Sequence, residues 1–407
     1  MNAVDTEIQK LVRSKRFHTI SDSFNEKEKV VIRQKALASL TGVTLSAISS
    51  PTFDIAQVAT HSCENLIGKT EIPLGLAGPL LIKGSYAKGE YYVPLATTEG
   101  ALLASINRGC VATAQSGGIQ TFVEKSSMTR APVFRTKGIK ESARFISWVE
   151  NHTKDMAKTV KEISEYLTLL SVTPFMIGKN VYLRFEFDTA DAMGMNMVTI
   201  ACDQIIRNVI TPKTGVLCVA LSGNMCVDKK ASYLNFTRGR GHRTHAEVII
   251  PRHVVASTLK TDPETIVEVN YRKNLLGTIA AGSFSSNAHY ANIIAALFIA
   301  TGQDVAHVVE GSLGITTAEM DGKNLYFSIF LPDLPLGTVG GGTTLSTQKE
   351  ALELLQVAGG GKPTGTNAKK LAEIAAATVL SGELSLLSAL ASSDLAKAHK
   401  RLARGET

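Results

Sequence analysis

The sequence predicts an α+β fold in which a small βαββαβ domain is set into a large, helix-centred one. Two stretches carry that expectation. Residues 293–300, Ile-Ile-Ala-Ala-Leu-Phe-Ile-Ala, are apolar on every face, so a helix there is buried all round. The run is far short of the ~20 residues needed to cross a bilayer. Residues 132–221 read as strands and helices in the order β-α-β-β-α-β, the order of a ferredoxin-like sandwich. The chain has 407 residues and is 44% hydrophobic, enough for two or three domains. The expected division is an N-terminal helical segment at 1–50, a large domain from 51–131 and 221–407, and the small domain at 132–220.

Taken in order, residues 27–38 mix Val30, Val31, Ala36 and Leu37 with charges, the pattern of a surface helix that Thr41-Gly42 stops. No chemistry is evident there. Glycine- and proline-punctuated strand sequence follows from Ile72, and 91–93 reads as a strand. Thr97-Thr98-Glu99-Gly100 reads as a helix start, with Thr98 as N-cap and Glu99 in the first turn. On that helix Ser105 and Arg108 are three apart and share a face, so hydroxyl and guanidinium could grip one phosphate.

In the small domain, 132–135 is a short strand and 139–166 is helical with a break near Asn151. Residues 171–176 form a strand. Residues 181–188 alternate strictly, with Val181, Leu183, Phe185 and Phe187 on one side and Tyr182, Arg184, Glu186 and Asp188 on the other. A helix to 210 and an apolar strand at 216–221 complete the unit. Beyond it come the loop 222–230, a strand at 246–250, a helix start at 261–264, the central helix, a strand at 324–331, and a long helical stretch from 368 to His399. Asp304 sits at the C-terminal end of the central helix, where the helix dipole disfavours negative charge.

Composition narrows the function. Disorder is not supported at this hydrophobic content. The N-terminus lacks the basic-then-apolar pattern of a signal peptide. The five scattered cysteines suit reduced thiols in a cytoplasm better than a disulfide framework. The net charge of +7 suits anionic ligands such as nucleotides. Basic clusters, among them Arg238-Gly-Arg240-Gly-His-Arg243, are not interleaved with aromatics, which argues against nucleic acid. Gly359-Gly-Gly-Lys362 lacks P-loop spacing, and no G-x-G-x-x-G joins a strand to a helix. His242 and His245 lack companions for a metal site and read as a surface loop, so no metal is expected. Asp228-Lys229-Lys230, at a strand-end loop, could aim an ammonium at a developing oxyanion.

Taken together, Glu64-Asn-Leu-Ile-Gly68, Thr97-Thr-Glu-Gly100 with Asn107-Arg108, Asp191-Ala-Met-Gly-Met-Asn-Met197, Asp228-Lys229-Lys230, Gly302-Gln-Asp304 and Gly337-Thr-Val-Gly-Gly-Gly-Thr343 occur in a telling order. The chain resembles the 3-hydroxy-3-methylglutaryl-coenzyme A (HMG-CoA) reductases, specifically the soluble archaeal-like form of class I. Ser381-Gly-Glu-Leu-Ser-Leu386 and His399 continue the match. The resemblance implies reduction of HMG-CoA to mevalonate and CoA at the expense of two NADPH, in isoprenoid biosynthesis. It implies Lys229 as the catalytic cation, Glu99 as an acid, Asp304 hydrogen-bonded to both, and His399 as the donor to the CoA thiolate. Implied substrate contacts are Arg130, Ser222, Asp228, Lys230, Lys273, His289 and Asn292 for the acyl part, and Ser105, Asn107 and Arg108 for CoA. Implied nucleotide contacts are Asp191, Met193, Gly194, Met195, Asn196, Gly340 and Gly341, with Arg144 and Phe145 near the 2′-phosphate. The small domain would thus be NADP-binding. A homodimer or dimer of dimers is implied, with active sites at the interface, Glu64–Gly68 in the contact, and neither membrane nor nucleic acid as partner.

The chain departs from the family pattern at Ala231-Ser-Tyr-Leu-Asn-Phe236, at Ser392-Ser-Asp394 and at Lys400-Arg-Leu-Ala-Arg404. No serine follows His399, so phosphorylation control is expected to be absent. The rival readings are an NADH-linked catabolic mevalonate oxidoreductase, which Arg144 disfavours, and a non-catalytic CoA- or nucleotide-binding protein, which retention of Glu99, Lys229, Asp304 and His399 disfavours.

Overall fold

The computed structural model describes residues 2–392, so His399 lies outside the described residues. The architecture is mixed helix and sheet. The axis of the larger body is the 26-residue helix Thr366–Ala391, not the run at 293–300. That run does form a buried helix, Tyr290–Thr301, and it packs against the longer one. The longer helix is rich in Ala and Ser and carries Gly382, which lets backbones approach closely. A Cβ at Gly109, on the helix Leu102–Gln115, would fall 1.9 Å from the Ser381 carbonyl oxygen. One at Gly382 would fall 2.5 Å from Ile293 Cδ1. Among the described residues this is the helix long and apolar enough to cross a membrane, and it is buried within protein.

Two glutamates on this helix are buried and fully used. Glu383 accepts from the backbone N–H of Ala288 at 2.6 Å and His289 at 3.2 Å, and from Thr316 Oγ1 at 2.9 Å. It thereby satisfies free N–H groups where the helix Tyr290–Thr301 begins. Glu373 accepts the N–H groups of Ser85, Tyr86 and Ala87 in the turn of the hairpin Leu74–Gly84/Lys88–Ala96.

The strand Ile119–Arg130 joins the two bodies. Its first half pairs in parallel with Leu74–Gly84 and antiparallel with Gly241–Ile250. Its last three residues, Met128 to Arg130, pair with Asn180–Asp188. The smaller body has its own core, from Phe134 and Phe145 to Val216. There the antiparallel strands stand in the order Leu217–Ala220, Val133–Arg135, Asn180–Asp188, Thr168–Ile177. The helical stretch breaks at His152, between Ile139–Asn151 and Thr153–Ile163. Val181, Leu183, Phe185 and Phe187 are fully buried, as the alternation requires. The opposite row is not solvated: Arg184 and Glu186 are buried too, and bonded to each other at 2.7 Å. Alternation reveals one covered face, and a second cover from a distant loop leaves no periodic mark.

His242 and His245 lie on the strand Gly241–Ile250 rather than in a loop. Spaced by three, they face opposite sides. His242 is buried 2.8 Å from Ser126 Oγ, and His245 is half-exposed 2.9 Å from Glu124. Phe145 is buried in the small core, its ring 5.0 Å from that of Phe134 and tilted by 53° to it.

The contact at Gly109 gives a direct test of the helix axis. Gly109→Ala forces the two backbones apart and should destabilise the chain by about 1–3 kcal/mol, read as a lower denaturant midpoint. An unchanged midpoint would contradict the close approach.

Candidate functional site

Lys229 sits at the end of a loop under backbone strain. Asn224, Val227 and Lys229 have φ of 64°, 50° and 56°, a left-handed region that a β-branched residue such as Val227 rarely enters. Such strain persists only where surroundings impose it. They are visible here. Asn235 Nδ2 donates to the Val227 carbonyl at 2.9 Å and to Glu310 Oε2 at 3.1 Å, and the Lys229 N–H donates to Glu310 Oε1 at 3.3 Å.

Behind the loop lies an ion network. Arg240 is fully buried; it bonds Glu310, and donates to Asp228 Oδ1 at 2.8 Å. His307, also fully buried, places Nε2 at 3.0 Å from the same Asp228 oxygen. Burial pushes the Asp228 carboxyl up, but His307, Arg240 and Lys229 outweigh it and hold it at about 2. Burial lifts the Glu310 carboxyl against the pull of Arg240 and His307. Asp333, fully buried beside Glu310, is driven well above its ordinary value, chiefly by desolvation. Asp228, His307 and Glu310 bring ligand atoms within 4.8 Å of one another. The Arg240 guanidinium already pairs with both carboxylates, so the set reads as an ion network.

In front of it, Lys229 Nζ meets Asp304 Oδ2 at 2.7 Å. The side chains are 41% and 38% exposed, open enough for a ligand to reach. Asp304 does not end the central helix: Gly302 caps that at φ 71°. Asp304 instead begins the short helix Val305–His307, its Oδ1 accepting from the Ala306 N–H at 3.1 Å. Negative charge is favoured there. Burial raises this carboxyl too, but Lys229, His307 and the Ala306 N–H bring it below its ordinary value.

The pair opens on a cavity of about 1530 Å³ lined by both bodies. Arg130 and Asp228 line it beside Lys229 and Asp304, as do Met193 to Met197 and the turn Gly340 to Gly342. At Gly340 and Gly341 φ is 78° and 55°, and a Cβ would meet nothing within 4 Å, so the turn is open to a ligand's close approach. Leu66 and Gly68 also line the cavity. Their segment is held inside the chain by Arg33 and Gln34, which donate to the Leu66 and Ile67 carbonyls.

Other expected residues stand elsewhere. Glu99 does not lie in a helix: Ala101, at φ 74°, precedes a helix that begins at Leu102, and Thr98 caps nothing. Glu99 is exposed and accepts from Asn292 Nδ2 at 3.1 Å. Among the described residues no bond joins it to Lys229 or Asp304, so the expected meeting of one ammonium with two acids is half made in the single chain. Asp191 turns away from the cavity. Its carboxylate accepts from the N–H groups of Gly361, Gly365 and Ala368 at 2.7–3.0 Å, a clamp on the start of the helix Thr366–Ala391. Ser105 and Arg108 do share a face, and both reach Ser385 Oγ at 3.0 Å. Asn107 accepts from the Gly78 N–H at 2.8 Å. His289 is held through its N–H by Glu383. Ser222 stands 3.7 Å from Cys226 Sγ, and Lys230 donates to its own loop at Asp228. Arg144 is exposed on the helix Ile139–Asn151, and Lys273 on the π-helical segment Asn270–Gly277.

Sequence reasoning missed Arg240, Asn235, His307 and Glu310. The sequence reads Arg240 as one of a basic cluster, in a charge excess suited to anionic ligands. Asp304, His307 and Glu310 did carry a signal: a spacing of three, which stacks side chains in a tight helix.

Comparisons with known proteins add independent findings. The family model described as hydroxymethylglutaryl-coenzyme A reductase matches residues 29–404. The chain is 52% identical over 375 residues to a 3-hydroxy-3-methylglutaryl-coenzyme A reductase of Pyrococcus abyssi, covering 92% of each chain. It is 52% identical over 382 residues to that of Aeropyrum pernix, covering 94% of this chain and 91% of the relative. Its fold is similar to a class II enzyme of this name from Streptococcus pneumoniae, solved bound to NADPH in open conformations, with TM-score 0.66 and 17% identity over 96% and 97% of the two chains.

The Arg240 network generates a stability test. Arg240→Met leaves Glu310 buried without its partner and should destabilise by about 3–5 kcal/mol. A urea midpoint equal to wild type would mean the guanidinium is not what holds the loop.

Proposed function

Because the chain belongs to the hydroxymethylglutaryl-coenzyme A reductase family, we propose that the Lys229–Asp304 pair is the centre at which it reduces HMG-CoA to mevalonate. NADPH supplies the two hydrides. The cleft suits a nucleotide, with the unobstructed Gly340-Gly341 turn beside Met193 to Asn196 in its lining.

The chemistry assigns the roles. Hydride addition to the thioester carbonyl places negative charge on its oxygen, and the Lys229 ammonium stabilises it. The C–S bond then breaks, leaving an aldehyde and the CoA thiolate, which takes one proton. A second hydride reaches the aldehyde carbon, and its oxygen takes the second proton. Asp304, ionised and bonded to Lys229, keeps the cation charged and aimed. Arg130, whose Nε is buried without a partner, is placed for the substrate's free carboxylate, with Asp228 beside it.

The remaining roles rest on the family resemblance. The proposal gives the aldehyde step to Glu99 and the thiolate proton to His399. The exposed Glu99–Asn292 pair would complete the site across a homodimer interface. Ser105, Asn107 and Arg108 are assigned to CoA, Arg144 to the 2′-phosphate, and Ser222, Lys230, Lys273 and His289 to the acyl group. The small body's strand order supports reading it as a ferredoxin-like, NADP-binding domain at 132–220. Identity of 52% to archaeal relatives supports class I, and five free cysteines support a cytoplasmic setting.

The ion pair carries this reading. With HMG-CoA present, NADPH absorbance should fall at two NADPH per HMG-CoA, and Lys229→Ala should lower kcat by about 10²–10³. Full turnover by that variant would overturn the assignment.

A further inference from the structure

His307 is used by none of the steps above, yet it is the residue that connects them. It stands one tight turn after Asp304, in the segment Val305–His307 that Asp304 itself caps. One ring nitrogen, Nε2, lies 3.0 Å from Asp228 Oδ1. Asp228 stays ionised and can only accept, so Nε2 carries the hydrogen. The other nitrogen, Nδ1, has no hydrogen-bond partner and lies 3.7 Å from Asp304 Oδ2, the oxygen that holds Lys229. The ring is fully buried, faced by Arg240 and Glu310 from behind. An imidazole nitrogen left orphaned within reach of a carboxylate is costly unless that carboxylate closes on it.

We propose that His307 is a positioning residue for the reduction: it ties Asp228 to Asp304, the acids on either side of Lys229, so that the ammonium is presented to the carbonyl oxygen from a fixed support. The proposal rests on the reading of Lys229 and Asp304 given above. Asp304 alone cannot provide this. Its Oδ1 is held by the backbone and its Oδ2 by Lys229, so once the ammonium moves forward only Oδ1 remains held. Held by Nε2–H on Asp228, the ring meets Asp304 as an imidazolium, and when substrate draws the ammonium forward its Nδ1–H can take over part of the hold on Oδ2. A small displacement at a reacting centre is enough to slow turnover strongly.

The test compares His307→Gln, His307→Ala and Lys229→Ala in the intact protein, with HMG-CoA and NADPH. Glutamine preserves a donor for Asp228 and most of the volume, and removes the nitrogen facing Asp304. His307→Gln should keep the wild-type thermal midpoint and both KM values while kcat falls about tenfold. His307→Ala should lower kcat further. A role confined to stability would lower the midpoint instead and leave kcat of the folded fraction unchanged. Wild-type kcat in His307→Gln overturns the proposal, and this variant decides the matter if the alanine variant does not fold. Turnover by Lys229→Ala would instead overturn the underlying reading, so the two failures are distinct.

Discussion

The guanidinium of Arg240, fully buried between Asp228 and Glu310, is the constraint on which the site depends. Glu310, fully buried, cannot remain charged there without a paired cation. Once Arg240 supplies it, Glu310 can bind the Lys229 N–H and Asn235, and the loop is held in a conformation that Val227 and Lys229 would not adopt unaided. A rigid loop is what a reaction of this kind needs. The cation must already face the carbonyl oxygen when charge appears, because reorientation during the reaction would consume the advantage.

The cleft follows from how the chain is threaded. One strand, Ile119–Arg130, belongs to the sheet of the larger body at its start and to that of the smaller at its end, where Arg130 lines the cavity. The Asp191 clamp then anchors the 191–197 turn of the smaller body to the first turn of the core helix. The two walls are therefore tied at both ends, with the Lys229–Asp304 pair between them. Helix Leu102–Gln115 is locked on the same core helix at Gly109, which sets where Ser105 and Arg108 emerge.

Much of this could be read from the residues. Alternation at 181–188 located a buried strand, the apolar run at 293–300 a buried helix, and the loop at 228–230 the cation. What was misread has a common cause. Arg184, Glu186 and Arg240 carry charge, and charge in a sequence reads as surface; Arg184 reaches Asn235 and Arg240 reaches Glu310 across 51 and 70 residues, where no local pattern records the contact. The resemblance gives Asp191 and Phe145 to the nucleotide; in the single chain Asp191 also binds a helix start and Phe145 packs in the small core. The core helix was undervalued because Ala, Ser and Gly mark close packing only when the facing residue is known. Asp304 was placed at a helix end, where its charge is unfavourable. Gly302 ends that helix, and the next one makes the aspartate's charge an asset.

The central claim is that Lys229 acts as a unit with Asp304. A double-mutant cycle on kcat, using Lys229→Ala, Asp304→Ala and the double variant, measures that coupling directly. The account predicts that the double variant is no slower than the slower single one, since either change removes the same oriented cation. Losses that multiply would show two independent contributions and contradict it.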